Sequence, residues 1–220
     1  MKHEKDDQNS IEISMFDSVV KSSGFDAAKD YMEIGIDAFM NDGFLKEIPI
    51  VGTIASMYKS SIAIRDFLFL KKVILFLKNI SDTPEESRKK FCDEIEKSEG
   101  TKSKAGANLC LLLDRLDDLE KPKIIGKIYK AKLEDRISYL ELRRFCMIVE
   151  RSFLPDLISL SKMNPDEALD PLAAPYWHAL GIATITGEDY GTFGGIGAET
   201  WYVINPLGRK FIAVAFDAKH

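Results

Sequence analysis

The stretch from Lys46 to Ile80, KEIPIVGTIASMYKSSIAIRDFLFLKKVILFLKNI, is the most apolar part of the 220-residue chain, yet it is threaded with lysines and holds Arg65 and Asp66 side by side. Wherever this segment settles, the rest of the chain must be built around it. A helix that crosses a bilayer needs about twenty mostly apolar residues to span about 30 Å of hydrocarbon. Ile48 to Leu77 is long enough, but its uncharged run, Ile48 to Tyr58, is much shorter, and Lys59, Arg65, Asp66, Lys71 and Lys72 interrupt the remainder. Two charges near the centre cost about 5 to 7 kcal/mol on insertion, while each large apolar residue returns only about 0.3 to 0.6 kcal/mol. Permanent residence in lipid is disfavoured.

On a helix, Gly52, Ser56, Lys59, Ser60, Ala63 and Asp66 gather on one side and Ile50, Ile54, Met57, Ile64 and Leu68 lie opposite, so the first half is amphipathic. The second half, FLFLKKVILFL, is apolar nearly all round, as expected of a central core helix whose lysine stems reach outward. The expectation is a long core helix, with a break near Gly52 or Arg65 allowed, and with Arg65 and Asp66 paired to neighbours. Six basic residues against two acidic ones between Phe44 and Ile80 give a local excess that favours anionic bilayers. Glu47-Ile48-Pro49-Ile50-Val51-Gly52-Thr53 also resembles the Ile-Pro-x-Val-Gly stretches in translocation or pore-forming helices of several bacterial toxins. That resemblance implies a segment sheltered in a bundle and released to a membrane on a trigger. A third alternative is an exposed apolar face that binds a protein partner or another copy of the chain. The residues expected to engage membrane or partner are Ile50, Ile54, Lys59, Arg65, Phe67, Lys71, Lys72 and Phe76.

Composition supports a folded chain: 45% hydrophobic and 30% charged residues suffice for a core at this length. A formal charge of −5 gives the molecule as a whole no footprint for nucleic acid. Cys92, Cys110 and Cys146 are far apart and form no CxxC pair, so they read as free thiols packed as small hydrophobes in a reducing cytoplasm. MKHEKDDQNS has no apolar run behind it, so a cytoplasmic protein is expected, peripheral to the inner membrane in the membrane reading.

Punctuation residues divide the chain into helices. A polar leader and a short apolar patch at Met15 to Val20 precede a helix that ends near Asn41 and Gly43. Thr83, Pro84 and Glu86 suggest a capping box for a charged helix to about Lys97, and EGTKSKAG a flexible connection. A helix follows over Asn108 to Leu119, another opens at Pro122, and Ser138 with Glu141 forms a second capping box. Helix upon helix with short connections predicts a mainly α protein with an antiparallel bundle. The expected organisation is a leader with a short helix over 1–30, the bundle over 31–160 and a smaller α+β module over 161–220.

In the last portion Asn164, Pro165 and Glu167 suggest one more capped helix. A glycine turn at Gly181, β-like runs at Ile182 to Ile185 and Trp201 to Ile204, and a closing helix capped by Asn205 and Pro206 complete it. Val203-Ile204-Asn205-Pro206-Leu207-Gly208-Arg209 resembles the passage from wing to helix in winged-helix modules, which implies a helix, hairpin and helix succession there. Gly187, Gly191, Gly194, Gly195 and Gly197 are expected to form a mobile loop at the hairpin tip. They do not match GxxxxGK[ST], and Glu188, Asp189 and Glu199 would repel a phosphate.

Catalytic raw material is sparse. His3 and His220 lie at the ends, and His178 reads as a packed or hydrogen-bonded histidine. Asp114, Asp117 and Asp118 are spaced for one helix face and could offer oxygens to a hard cation, but ion pairs with Arg115, Lys121 or Arg144 are the expected role. No metal and no cofactor is called for. From Arg151 onward five basic residues face eight acidic ones, the wrong balance for groove binding of nucleic acid. The whole resembles small bacterial proteins of the phage-defence or abortive-infection kind. That resemblance implies a non-enzymatic effector that engages an anionic membrane surface, a protein partner or another copy. An adaptor acting through the C-terminal module, or a winged-helix nucleic-acid binder, are the alternatives.

Overall fold

The computed structural model describes residues 2–22, 43–57, 63–189 and 199–217. Among them are eleven helices and one two-stranded antiparallel sheet. The chain divides into two compact units, Met1–Cys146 and Met147–His220.

In the first unit the polar leader is a helix. Its 19 residues, α1 (Lys2–Val20), bury Met15, Phe16 and Val19. Two short helices follow, α2 (Gly43–Glu47) and α3 (Pro49–Met57), and then α4 (Ile64–Ile80). The apolar segment is therefore not one continuous helix. It breaks around Ile48, where Pro49 starts a new turn as its missing N–H allows, and again at Ala63, which is extended. Gly52 lies inside α3, where a Cβ would come within 2.7 Å of the Lys46 carbonyl.

Helix α5 (Glu85–Glu99) begins one residue later than the capping-box reading places it. Pro84 is the extended N-cap residue, and the Thr83 hydroxyl donates back to the Ile80 carbonyl at 2.6 Å, so Thr83 closes α4 instead of opening α5. Gly100, at φ 90°, ends α5 in the left-handed region that favours glycine. Thr101 caps α6 (Lys102–Arg115) by accepting from the Lys104 N–H at 3.1 Å, so the expected flexible connection is mostly helix. Helix α7 (Lys121–Leu133) has Pro122 in its first turn. Helix α8 (Tyr139–Arg151) has the expected reciprocal cap: the Glu141 N–H donates to Ser138 Oγ at 3.2 Å and the Ser138 N–H to Glu141 Oε2 at 2.7 Å.

The core of this unit is the body of α4. Phe67, Leu70, Val73, Ile74, Leu75, Phe76, Leu77 and Ile80 are all buried. Helix α7 packs closely on it because Gly126 has no side chain. A Cβ there would lie 2.5 Å from Asn79 Cβ and 2.9 Å from the Phe76 carbonyl. Tyr129 stands edge-on to Phe76, 5.0 Å between centroids, and to Phe91, 5.8 Å. Helix α1 reaches α6 at a second close approach, where Gly106 meets the backbone of Glu12. It is held to α3 by Ser14 and Thr53, 2.6 Å apart, and by the Ile50 N–H donating to Ser18 Oγ at 3.0 Å. Buried Arg88 donates to the carbonyls of Val20, Ser81 and Thr83, which ties the end of α1 to the α4–α5 turn.

In the second unit α9 (Leu154–Lys162) precedes a turn, not a helix, at Asn164. There Asn164 Oδ1 accepts from the Asp166 N–H at 3.2 Å and the Glu167 N–H donates to the Asn164 carbonyl at 3.0 Å. Asn164 spends its capping chemistry on this turn, as Asn does when its side chain bonds two residues on. Helix α10 (Ala174–Ala179) ends at Gly181, φ 80°. Strands β1 (Ala183–Asp189) and β2 (Glu199–Ile204) pair with Ala183 opposite Ile204 and Ile185 opposite Tyr202, and the register shifts before Gly187. Asn205 caps α11 (Pro206–Phe216) by accepting from the Gly208 N–H at 2.9 Å. Trp177, Ile182, Ile204, Phe211 and Ile212 form the small core.

Candidate functional site

The expected engaging residues fall into two groups. Ile50, Ile54, Phe67 and Phe76 are buried, as is Lys71, whose Nζ lies 5.0 Å from the centroid of the Phe67 ring instead of reaching outward. Arg65 is 81% exposed at its side chain and Lys72 is half-buried. Lys59 lies outside the described residues. Of the expected mobile glycines, Gly187 sits in β1 with the Trp201 ring against it, and Gly191, Gly194, Gly195 and Gly197 lie outside the described residues.

The first turns of α4 differ from its body. Ile64 is 69% and Leu68 42% exposed, and Leu111 on α6 is 51% exposed. Between α4 and the end of α6 lie two open hollows that share Arg65, Phe69 and Asp114. One, of 260 Å³, is apolar and lined by Ile54, Met57, Cys110 and Leu111 among others. The other, of 680 Å³, runs past Ile64, Leu68 and Lys72 to Asp117 and Asp118. Arg65 crosses between them to Asp114, Nη2 to Oδ2 3.1 Å. Sequence periodicity found the apolar residues of this groove but not the groove, whose walls join residues 49 positions apart.

The three aspartates do not share a helix face. Helix α6 stops at Arg115, and Leu116 turns extended, so Asp117 and Asp118 belong to the following turn. Ion pairing is what two of them do: Asp114 takes Arg65, and Asp117 takes the buried Lys121 at 2.5 Å. The Lys121 ammonium, hydrogen-bonded to Asp117, holds that carboxyl below its usual range. Lys72 Nζ donates to the Asp114 carbonyl at 2.9 Å; partial burial pulls the Lys72 pKa down against the pull of Asp114 and Asp117. Burial likewise pushes the Cys110 thiol up to about 12, so the groove wall offers no thiolate at neutral pH.

Elsewhere, Cys92 and Cys146 are buried and outside any disulfide, and His178 Nδ1 lies 3.0 Å from the Ala183 carbonyl with Tyr202 beside the ring. Among the described residues no group of three or more His, Cys, Asp or Glu is placed to hold a metal ion, and no helix is long and apolar enough to cross a membrane. The arrangement on α4 and α6 can do one thing well, which is to bury apolar side chains of another molecule beside charges that fix its orientation. Compared with known proteins, the chain matches no family model, no curated protein and no solved structure.

Proposed function

We propose that the protein is a non-enzymatic interaction protein that docks a protein partner in the groove between the head of α4 and the end of α6. The observation that carries this reading is the exposure of Ile64 and Leu68 along the larger hollow, on a helix whose apolar residues from Leu70 onward are buried. A bilayer is the weaker occupant. Handing the eight buried apolar residues of α4 to lipid would keep them out of water but would unpack the core of the first unit, and an ordinary domain has only about 5 to 15 kcal/mol of net stability to lose. Engagement through the exposed head needs no such release.

The second unit, which we read as winged-helix-like, is supported by its helix, hairpin and helix order and by the Asn205 cap. Its acidic balance favours protein contact over nucleic acid. We read the first unit as an antiparallel bundle. An effector of the phage-defence kind, waiting for a partner, would need a standing docking face of this sort.

The test uses a neutral apolar fluorophore, Nile red, and flotation with anionic and neutral vesicles. Saturable dye binding that Leu68→Asp removes without changing the melting temperature, together with no flotation, is the expected result. Dye binding indifferent to Leu68→Asp, or flotation that depends on Leu68, would overturn the proposal.

A further inference from the structure

Resting on that docking role, we infer that the groove's occupant is an amphipathic helix of a protein partner that presents apolar residues at helical spacing and a lysine or arginine along one flank. The α4 wall from Ile64 to Lys72 runs about 12 Å at 1.5 Å per residue, two turns of a facing helix. Ile64 and Leu68, one turn apart, line the larger hollow and Leu111 the smaller, and Phe69 lines both, so the two together offer apolar contacts to side chains at i, i+3 and i+4.

Charge selects the flank. Asp114, Asp117 and Asp118 lie on the α6 side, at the C-terminal end of a helix whose partial charge is itself negative. Asp66 adds a fourth carboxylate to the lining, against Arg65 and Lys72. Lys121 already neutralises Asp117. Arg65 holds Asp114 from the surface, with side chains 81% and 41% exposed, and so exposed a pair contributes little. An incoming cation can therefore replace Arg65 at Asp114 with little loss, which also joins the two hollows into one trough. An acidic helix or an anionic lipid surface finds no comparable seat.

The experiment measures fluorescence anisotropy of two labelled synthetic helices of about twelve residues, one of leucine and lysine, the other of leucine and glutamate, and separately the flotation of the protein without either helix on anionic vesicles. The leucine–lysine helix binds about tenfold or more tightly than its counterpart, and Leu68→Asp weakens it by about tenfold even though that variant adds negative charge. Asp114→Asn with Asp118→Asn brings the two helices to near-equal affinity. Near-equal affinity in the wild type, still lost in Leu68→Asp, overturns the basic partner and leaves the docking role standing. Binding unaffected by Leu68→Asp or by the milder Leu68→Ala overturns both, and so does no binding of either helix. Flotation of the protein alone with anionic vesicles, lost in Leu68→Asp, overturns the inference in favour of lipid. Melting curves of each variant confirm that the fold is retained.

Discussion

Helix α4 is two regions under one hydrogen-bond ladder. From Leu70 onward nearly every large side chain is out of water, Gly126 lets α7 close against it, and Tyr129 joins its Phe76 to Phe91. Over its first turns Ile64 and Leu68 face solvent while Phe67 is buried and Phe69 half-buried. Both regions are apolar in sequence. They differ in what covers them, so hydrophobicity is spent on stability in one and left available for recognition in the other.

Truncation separates the two most sharply. Phe76→Ala removes a fully buried ring and is expected to cost about 3 to 5 kcal/mol, read from urea unfolding, where Leu68→Ala costs well under 1 kcal/mol. Equal losses would erase the distinction between body and head. Adding matter to the body comes next. Gly126→Ala forces a methyl against Asn79 and the Phe76 carbonyl and is expected to cost about 1 to 3 kcal/mol, whereas Gly43→Ala, with open space around it, moves the midpoint little.

The charged rim of the groove gives a smaller effect with a pH signature. The Asp117 carboxyl is held below its unfolded value of 3.8, so its pairing with Lys121 adds stability above that pH and loses it as the pH falls through the folded value. Wild type is expected to exceed Asp117→Asn modestly at neutral pH, with the gap closing as the pH falls through the lowered folded value. A gap that widens on acidification would mean the pair is not formed. Smallest of all, Leu68→Asp is expected to shift stability by no more than about 0.5 kcal/mol while removing groove binding. A large loss would place Leu68 in the body.

Local chemistry was legible in the sequence where it acts over a few residues. Ser138 and Glu141, Asn205 with Pro206 and Gly181 are settled by neighbours in the chain and stand where the residues place them, and the two β runs do so in part, the strands running on to Asp189 and starting back at Glu199. Arg65 finds a counter-charge, as its company of apolar residues requires. Thr83 and Asn164 carry cap chemistry too, but each has a nearer carbonyl or turn to satisfy, and only the three-dimensional path decides between them. The leader's helix was hidden for a similar reason. The apolar patch at Met15 to Val20 was legible but the helix running back through the polar residues to Lys2 was not, because what holds it is the distant Gly106 with Ser14 and Ser18. The groove was the least legible, because exposure of Ile64 and Leu68 depends on where α6 ends, a fact set at Leu116.

The most direct test of a buried body behind an engaging head is amide hydrogen exchange across α4, measured alone, with the leucine–lysine helix and with anionic vesicles. With the helix bound, amides near Leu68 should slow while those from Val73 to Ile80 keep the protection of the globally folded state, and vesicles should change neither. Loss of protection from Val73 to Ile80 on binding either one would contradict it, because the core helix would then be leaving its place.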